Sequence, residues 1–163
     1  MWNKRGLHVK AWVPGKYFDD LNIGDEFLTV SRTVTEADIV NFCGVSGDFN
    51  QLHTDIEFAA ESPFGQRIAH GMCGMTIASG CLNRSGLIEG TTVAFKGIKE
   101  WSFKKPIFIN DTVYVKIEVI GKQESKKPDR GLISFWLSLM NQREEVVMEG
   151  QWDILMSRKI EGE

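Results

Sequence analysis

The chain has 163 residues, 42% hydrophobic and 25% charged, with a formal net charge of −3. These are the proportions of one ordinary globular domain, taken as residues 1–163, and they exclude a disordered or fibrous chain. The acidic balance excludes duplex nucleic acid as a partner, because duplex binding relies on clustered Lys and Arg that release counterions from phosphates.

Lys4, Arg5 and Lys10 stand near the start, but residues 1–20 lack the continuous apolar core of a signal peptide. No later stretch is long enough to span a bilayer, so a cytoplasmic address without a membrane partner is expected. Gly24-Asp25 forms a turn, and residues 26–33 read as a first strand. Thr35 with Asp38 three residues on resembles a capping box, opening a helix with Ile39, Val40 and Cys43 on one face. That helix is expected to end between Gly44 and Gly47. A second helix opens around His70-Gly71-Met72 and continues through Met75, Ala78, Ser79 and Leu82 to about Gly86. It carries no charge before Arg84, and a helix so apolar all round is expected to be wrapped on every side.

The wrapping comes from the back half. Residues 91–104 form one strand, and Val113, Val115, Ile117 and Val119 alternate with Tyr114, Lys116 and Glu118 in the next. The same period of two returns in Ile133, Phe135, Leu137 and Leu139, and again in Met148, Trp152 and Ile154. Residues 121–130, with Lys122, Lys126 and Lys127, read as a solvated hairpin loop, and 141–144 as a second turn. Helices in front and strands behind predict an α+β fold, an antiparallel sheet curled around one buried helix. Cys43, Cys73 and Cys81 are odd in number, with no CxxC spacing, and read as small buried hydrophobes; no metal motif is present.

Chemistry concentrates in Gly47-Asp48-Phe49-Asn50-Gln51-Leu52-His53-Thr54-Asp55, where a carboxylate, an amide and an imidazole share a non-repetitive stretch. Imidazole moves protons near neutral pH, and a carboxylate in a cleft is a natural partner for it. Asp48 and His53 are therefore a candidate acid-base pair able to hold one water. Spacing alone leaves the plainer alternative open, a Gly-Asp turn beside a packed histidine.

The segment resembles the signature of the MaoC-like dehydratases and (R)-specific enoyl-CoA hydratases. That pattern reads Gly-Asp-x-Asn-Pro-hydrophobic-His-x-Asp, two alanines, a Phe, then Ala/Val-His-Gly-Met. Here Ala59-Ala60, Phe64 and Ala69-His70-Gly71-Met72 follow in order, with Ser79-Gly80, residues 101–106 and Asn110-Asp111-Thr112 further on. The likeness covers roughly residues 14–155, and Gln51 departs from it where the family commonly has Pro.

The resemblance implies a hot-dog fold in which Asp48 and His53 are catalytic, Asn50 orients them and Ser79 is an accessory polar group. It further implies a hydro-lyase acting on the C2–C3 bond of an acyl-CoA or acyl-carrier-protein thioester, with no metal or redox cofactor. The thioester oxyanion would meet the Gly71 N–H, an unpaired donor reinforced by the helix dipole. A homodimer or larger homo-oligomer is implied as well. His70 reads as a capping or packing histidine outside the catalytic set, and Arg67 and Lys104 are assigned no role. Two rivals remain at this point. One is a non-catalytic acyl-binding or regulatory module. The other is a hot-dog thioesterase, whose usual acid would lie on the central helix, whereas residues 72–82 contain neither Asp nor Glu.

Overall fold

The computed structural model describes residues 15–159. The reading of the first fourteen residues as lacking a signal peptide lies outside the described residues. Within them, β1 (Glu26–Leu28), β2 (Arg32–Thr33), α1 (Glu36–Ser46), α2 (Gln51–Thr54), α3 (Ile56–Ala60) and α4 (Gly71–Arg84) come first. Four long strands follow, β3 (Thr92–Phe103), β4 (Thr112–Glu124), β5 (Arg130–Asn141) and β6 (Val146–Ser157). The sheet runs β1-β4-β5-β6-β3, with β2 also on β4, and every pairing is antiparallel.

The alternation read from the sequence is the alternation of burial. Val113, Val115, Ile117 and Val119 on β4 and Ile133, Phe135, Leu137 and Leu139 on β5 are fully buried, and they share one core with Cys73, Ile77, Ala78, Cys81 and Leu82 of α4. Gly74 lets the helix approach closely, since a Cβ there would lie 2.4 Å from Met148 Cε and 2.7 Å from Ile107 Cδ1. Register shifts between Val119 and Gly121, and at three places along β3, bend the sheet around the helix.

The expected first strand is in fact two. β1 and β2 pair with β4 one residue out of step with each other, Leu28 opposite Lys116 but Arg32 opposite Val113. Between them the buried Thr29 keeps its ladder bond to Val115 O at 3.0 Å, and its hydroxyl accepts from Val115 N at 2.9 Å. The extra residue is absorbed as a bulge. α1 begins as expected, with Asp38 Oδ2 accepting from Thr35 N at 2.7 Å, and it ends on Gly47 at φ +76°, a left-handed conformation suited to glycine.

The expectation that the central helix is wrapped on every side is not met in the single chain. Cys73, Gly74, Ile77, Ala78, Cys81 and Leu82 are buried, but Met72 is 55% exposed and Thr76, Ser79, Gly80 and Asn83 also face outward. One sheet covers one face of a helix, and the composition of α4 does not say what covers the other. Among the described residues no helix is long and apolar enough to cross a membrane.

Candidate active site

After α1 the chain makes two side-chain-driven turns. Asp48 Oδ1 accepts from Asn50 N at 3.1 Å, and Asn50 Oδ1 accepts from Leu52 N at 2.9 Å, capping α2. Asp55 Oδ1 then caps α3 through Phe58 N at 3.0 Å. These short polar residues thus serve local backbone, and in doing so they aim His53. Neither α2 nor α3 was expected from the sequence, because four or five residues are too few to display a helical period.

His53 Nδ1 lies 2.8 Å from the carbonyl oxygen of Ile68. A carbonyl only accepts, so Nδ1 carries a proton, and in the neutral ring the lone pair is on Nε2. His70 Nε2 lies 2.9 Å from the carbonyl oxygen of Asp48 and therefore donates to it, with Cys43 Sγ at 3.7 Å. The two imidazoles stack, their centroids 3.7 Å apart and their planes at 29°. A carboxylate oxygen of Asp48 and one ring nitrogen from each of His53 and His70 all lie within 4.8 Å of one another. A water bonded at about 2.8 Å to each of two such groups fits between them.

Those three side chains are also the group among the described residues best placed to offer metal ligands. Their orientation is poor for it. Ring lone pairs lie in the ring planes, and planes stacked at 29° send them side by side instead of towards one point. His70 Nε2 is moreover already committed to the Asp48 carbonyl.

Gly71 is the first residue of α4, so its N–H has no partner within the helix. It opens onto a cleft of about 420 Å³ that it shares with Phe64, Ile68, His70, Phe103 and Met148. Phe103 stands against it, and a Cβ at Gly71 would lie 2.8 Å from Phe103 Cε1. The structure thus brings Asp48 and His53 together, ties the Asn50 N–H to Asp48 Oδ1, and sets Gly71 next in the chain to His70. Ser79 is not part of this gathering. It lies on the open face of α4 and lines a separate cavity of about 290 Å³ with Leu82, Asn83, Phe95 and Trp152. His70, read from the sequence as a capping or packing histidine, makes no side-chain cap bond and packs against His53 beside Asp48.

The thiols of α4 are held in the protonated form. Burial, with Asp38 adding to it, pushes the Cys73 thiol up to about 11, and burial also raises Cys81. A thiolate is therefore not available there at neutral pH.

Comparison with known proteins shows the family of the chain. Residues 20–134 match the model of the MaoC-like domain. The chain is 40% identical to the protein MaoC of Klebsiella aerogenes over 74% of its own length, and that match spans only 36% of the relative. It is 31% identical to the 3-hydroxybutyryl-CoA dehydratase of Methylorubrum extorquens, covering 90% of this chain and 88% of that protein. With the (R)-specific enoyl-CoA hydratase of Rhodospirillum rubrum it shares 33% identity over 68% of this chain and 74% of the other. Among solved structures, a monoamine oxidase regulatory protein from Archaeoglobus superposes with a TM-score of 0.82 at 36% identity, covering 91% of this chain and 98% of that one. A MaoC-like dehydratase from Rhodospirillum rubrum gives 0.80 at 30% identity, with coverage of 90% and 99%. A double hot-dog protein of Mycobacterium tuberculosis, 21% identical, gives 0.75 over 91% of this chain and 46% of its own, which speaks for the fold alone.

Proposed function

The chain belongs to the MaoC-like hydratase and dehydratase family, and on that premise we propose that it reversibly hydrates the C2–C3 double bond of an enoyl thioester through Asp48 and His53. The observation that carries the reading is the approach of the Asp48 carboxylate to a ring nitrogen of His53 within 4.8 Å, with His53 Nδ1 committed to Ile68 O.

In the forward direction one water sits between Asp48 and His53 Nε2. It loses a proton to this pair as its oxygen bonds to C3. The π electrons move towards C2 and the thioester oxygen, and the pair returns a proton to C2 to give the 3-hydroxyacyl thioester. Negative charge gathering on the thioester oxygen is met by the Gly71 N–H at the positive end of α4. Atoms and electrons balance with water as the sole co-reactant, so the step calls for neither metal nor redox cofactor, and coenzyme A or acyl carrier protein enters only as part of the substrate. The thioesterase alternative is weakened because α4 carries no Asp or Glu.

A second copy of the chain belongs to the same proposal. Among the described residues β3 is an edge of the sheet, and Val93, Phe95 and Ile98 on it are exposed. Pairing two such edges would satisfy their open hydrogen-bonding groups and remove apolar surface from water.

The test follows the loss of enoyl-thioester absorbance with crotonyl-CoA and longer trans-2-enoyl-CoAs, using wild type beside Asp48→Asn and His53→Ala. A general acid-base group contributes about 10²- to 10⁴-fold, so each folded variant is expected to fall by at least a hundredfold. A wild-type protein that binds acyl-CoA but hydrates none of these compounds would transfer support to an acyl-binding regulatory module, a reading that the name of the Archaeoglobus structure keeps in view.

A further inference from the structure

His70 is 3% exposed, stands at the N-cap position of α4 with no side-chain cap bond, and has three links to the proposed reaction. Its Nε2–H donates to the Asp48 carbonyl at 2.9 Å, its ring lies 3.7 Å from that of His53, and Gly71 is its next residue in the chain. On its other side the ring meets Phe42, with centroids 4.9 Å apart, and Cys43 Sγ at 3.7 Å.

We propose that His70 is a positioning residue for the Asp48–His53 pair, an inference that rests on the hydration reading given above. It does not touch substrate itself. Nε2–H is spent on Asp48 O, and Nδ1 is buried with no hydrogen-bond partner, so neither ring nitrogen is left to meet a ligand. What the ring supplies is constraint. His53 is already held in its plane by Ile68 O, and the stacked face of His70 removes the remaining tilt. Asp48 lies in an exposed turn whose side chain already serves Asn50 N, and the donated bond to its carbonyl ties that turn to the start of α4. One buried ring therefore sets the carboxylate, the imidazole and the oxyanion donor in mutual register. Misplacement of such groups by about 1 Å costs on the order of a hundredfold in rate.

Two variants separate the parts of this role. His70→Phe keeps a ring against His53 and most of the volume but has no N–H for Asp48. His70→Gln keeps an N–H able to reach the carbonyl and gives up the stacked face. With both folded by circular dichroism, His70→Phe is expected to lose roughly ten- to a hundredfold in kcat with KM within about threefold, and His70→Gln to recover at least about fivefold of that loss. Amide resonances of residues 48–53 are expected to move in His70→Phe, with those of Val115 and Leu137 in the sheet unmoved.

Wild-type kcat in His70→Phe overturns the proposal, as does a loss shared equally by the two variants and tracking the unfolded fraction. If the wild-type protein hydrates no enoyl thioester, the reaction reading fails on its own, and the resonances then decide. Shifts confined to residues 48–53 support positioning, and shifts spread through the core make His70 a packing residue only.

Discussion

At Gly71 an added Cβ would lie 2.8 Å from Phe103 Cε1, so a side chain there requires that ring to move. Phe103 is 55% exposed, so its ring has room to swing outward and the fold should accept Gly71→Ala. The methyl group would nevertheless stand where the thioester must approach the N–H, and kcat/KM should fall at least tenfold with little change in melting temperature, as steady-state hydration and a thermal melt would show. Removing an oxyanion donor outright costs about 10²- to 10³-fold, which bounds the effect from above. Asp48, Asn50, His53 and Gly71 were all legible in the sequence as an ordered motif. The partner that selects the His53 tautomer, Ile68 O, was not, because a backbone carbonyl has no residue-type signature. Ser79 was legible only by resemblance, and the fold gives it to a different cavity.

Between elements, the loop from α1 to α3 is held by caps more than by packing, for Asp48, Asn50 and Asp55 are the acceptors and no residue of α2 is buried. Loss of such a cap costs about 0.5–2 kcal/mol. Asn50→Ala is expected to cost about that much or less in urea unfolding, the loop being exposed, yet to lower kcat by more than tenfold because α2 carries His53. Equal losses in stability and rate would contradict a site held by its caps. On the sheet, a Cβ at Gly150 would lie 2.8 Å from Trp101 Cα and 2.7 Å from Trp101 Cε3. A backbone atom cannot step aside cheaply, so Gly150→Ala should destabilise by about 1–3 kcal/mol through strain in β3, measurable by denaturant melts. The strands were legible from their period of two, whereas the bulge at Thr29 was not, since it depends on a hydroxyl meeting Val115 across 86 positions of sequence.

Over the whole molecule, acid should unfold the protein through identifiable carboxylates. Burial raises Asp38 and Asp153, but the Thr35 N–H, the Thr35 hydroxyl and Arg32 outweigh it at the first, and Lys99, Gln151 and Ser134 at the second, so both end below the ordinary 3.8. A depressed folded value means stability that is complete above the unfolded value and is lost as pH falls through the folded one. Melting temperature is therefore expected to hold near neutrality and decline below about pH 4, with a shallower decline in Asp38→Asn and Asp153→Asn. At the same scale, Phe95 is 51% exposed on β3, an edge of the sheet among the described residues. Sedimentation is expected to find a dimer for the wild-type chain and a monomer for Phe95→Lys, and a monomeric wild type would remove the second copy from the proposal.

The alternation along β4, β5 and β6, the Thr35–Asp38 start of α1 and the ordered polar residues of 47–55 are local facts, set by neighbours within a few positions, and the sequence by itself determined them. It also determined that α4 is apolar. Periodicity states which side chains avoid water and is silent about what shields them, so only the tertiary structure decided that one sheet covers one face of α4 and leaves Met72 and Ser79 open. The same holds for the site. Asp48 and His70 are 22 positions apart and His53 and Ile68 are 15 apart, and the bonds between them require the start of α4 to lie against the loop, which is a matter of tertiary packing.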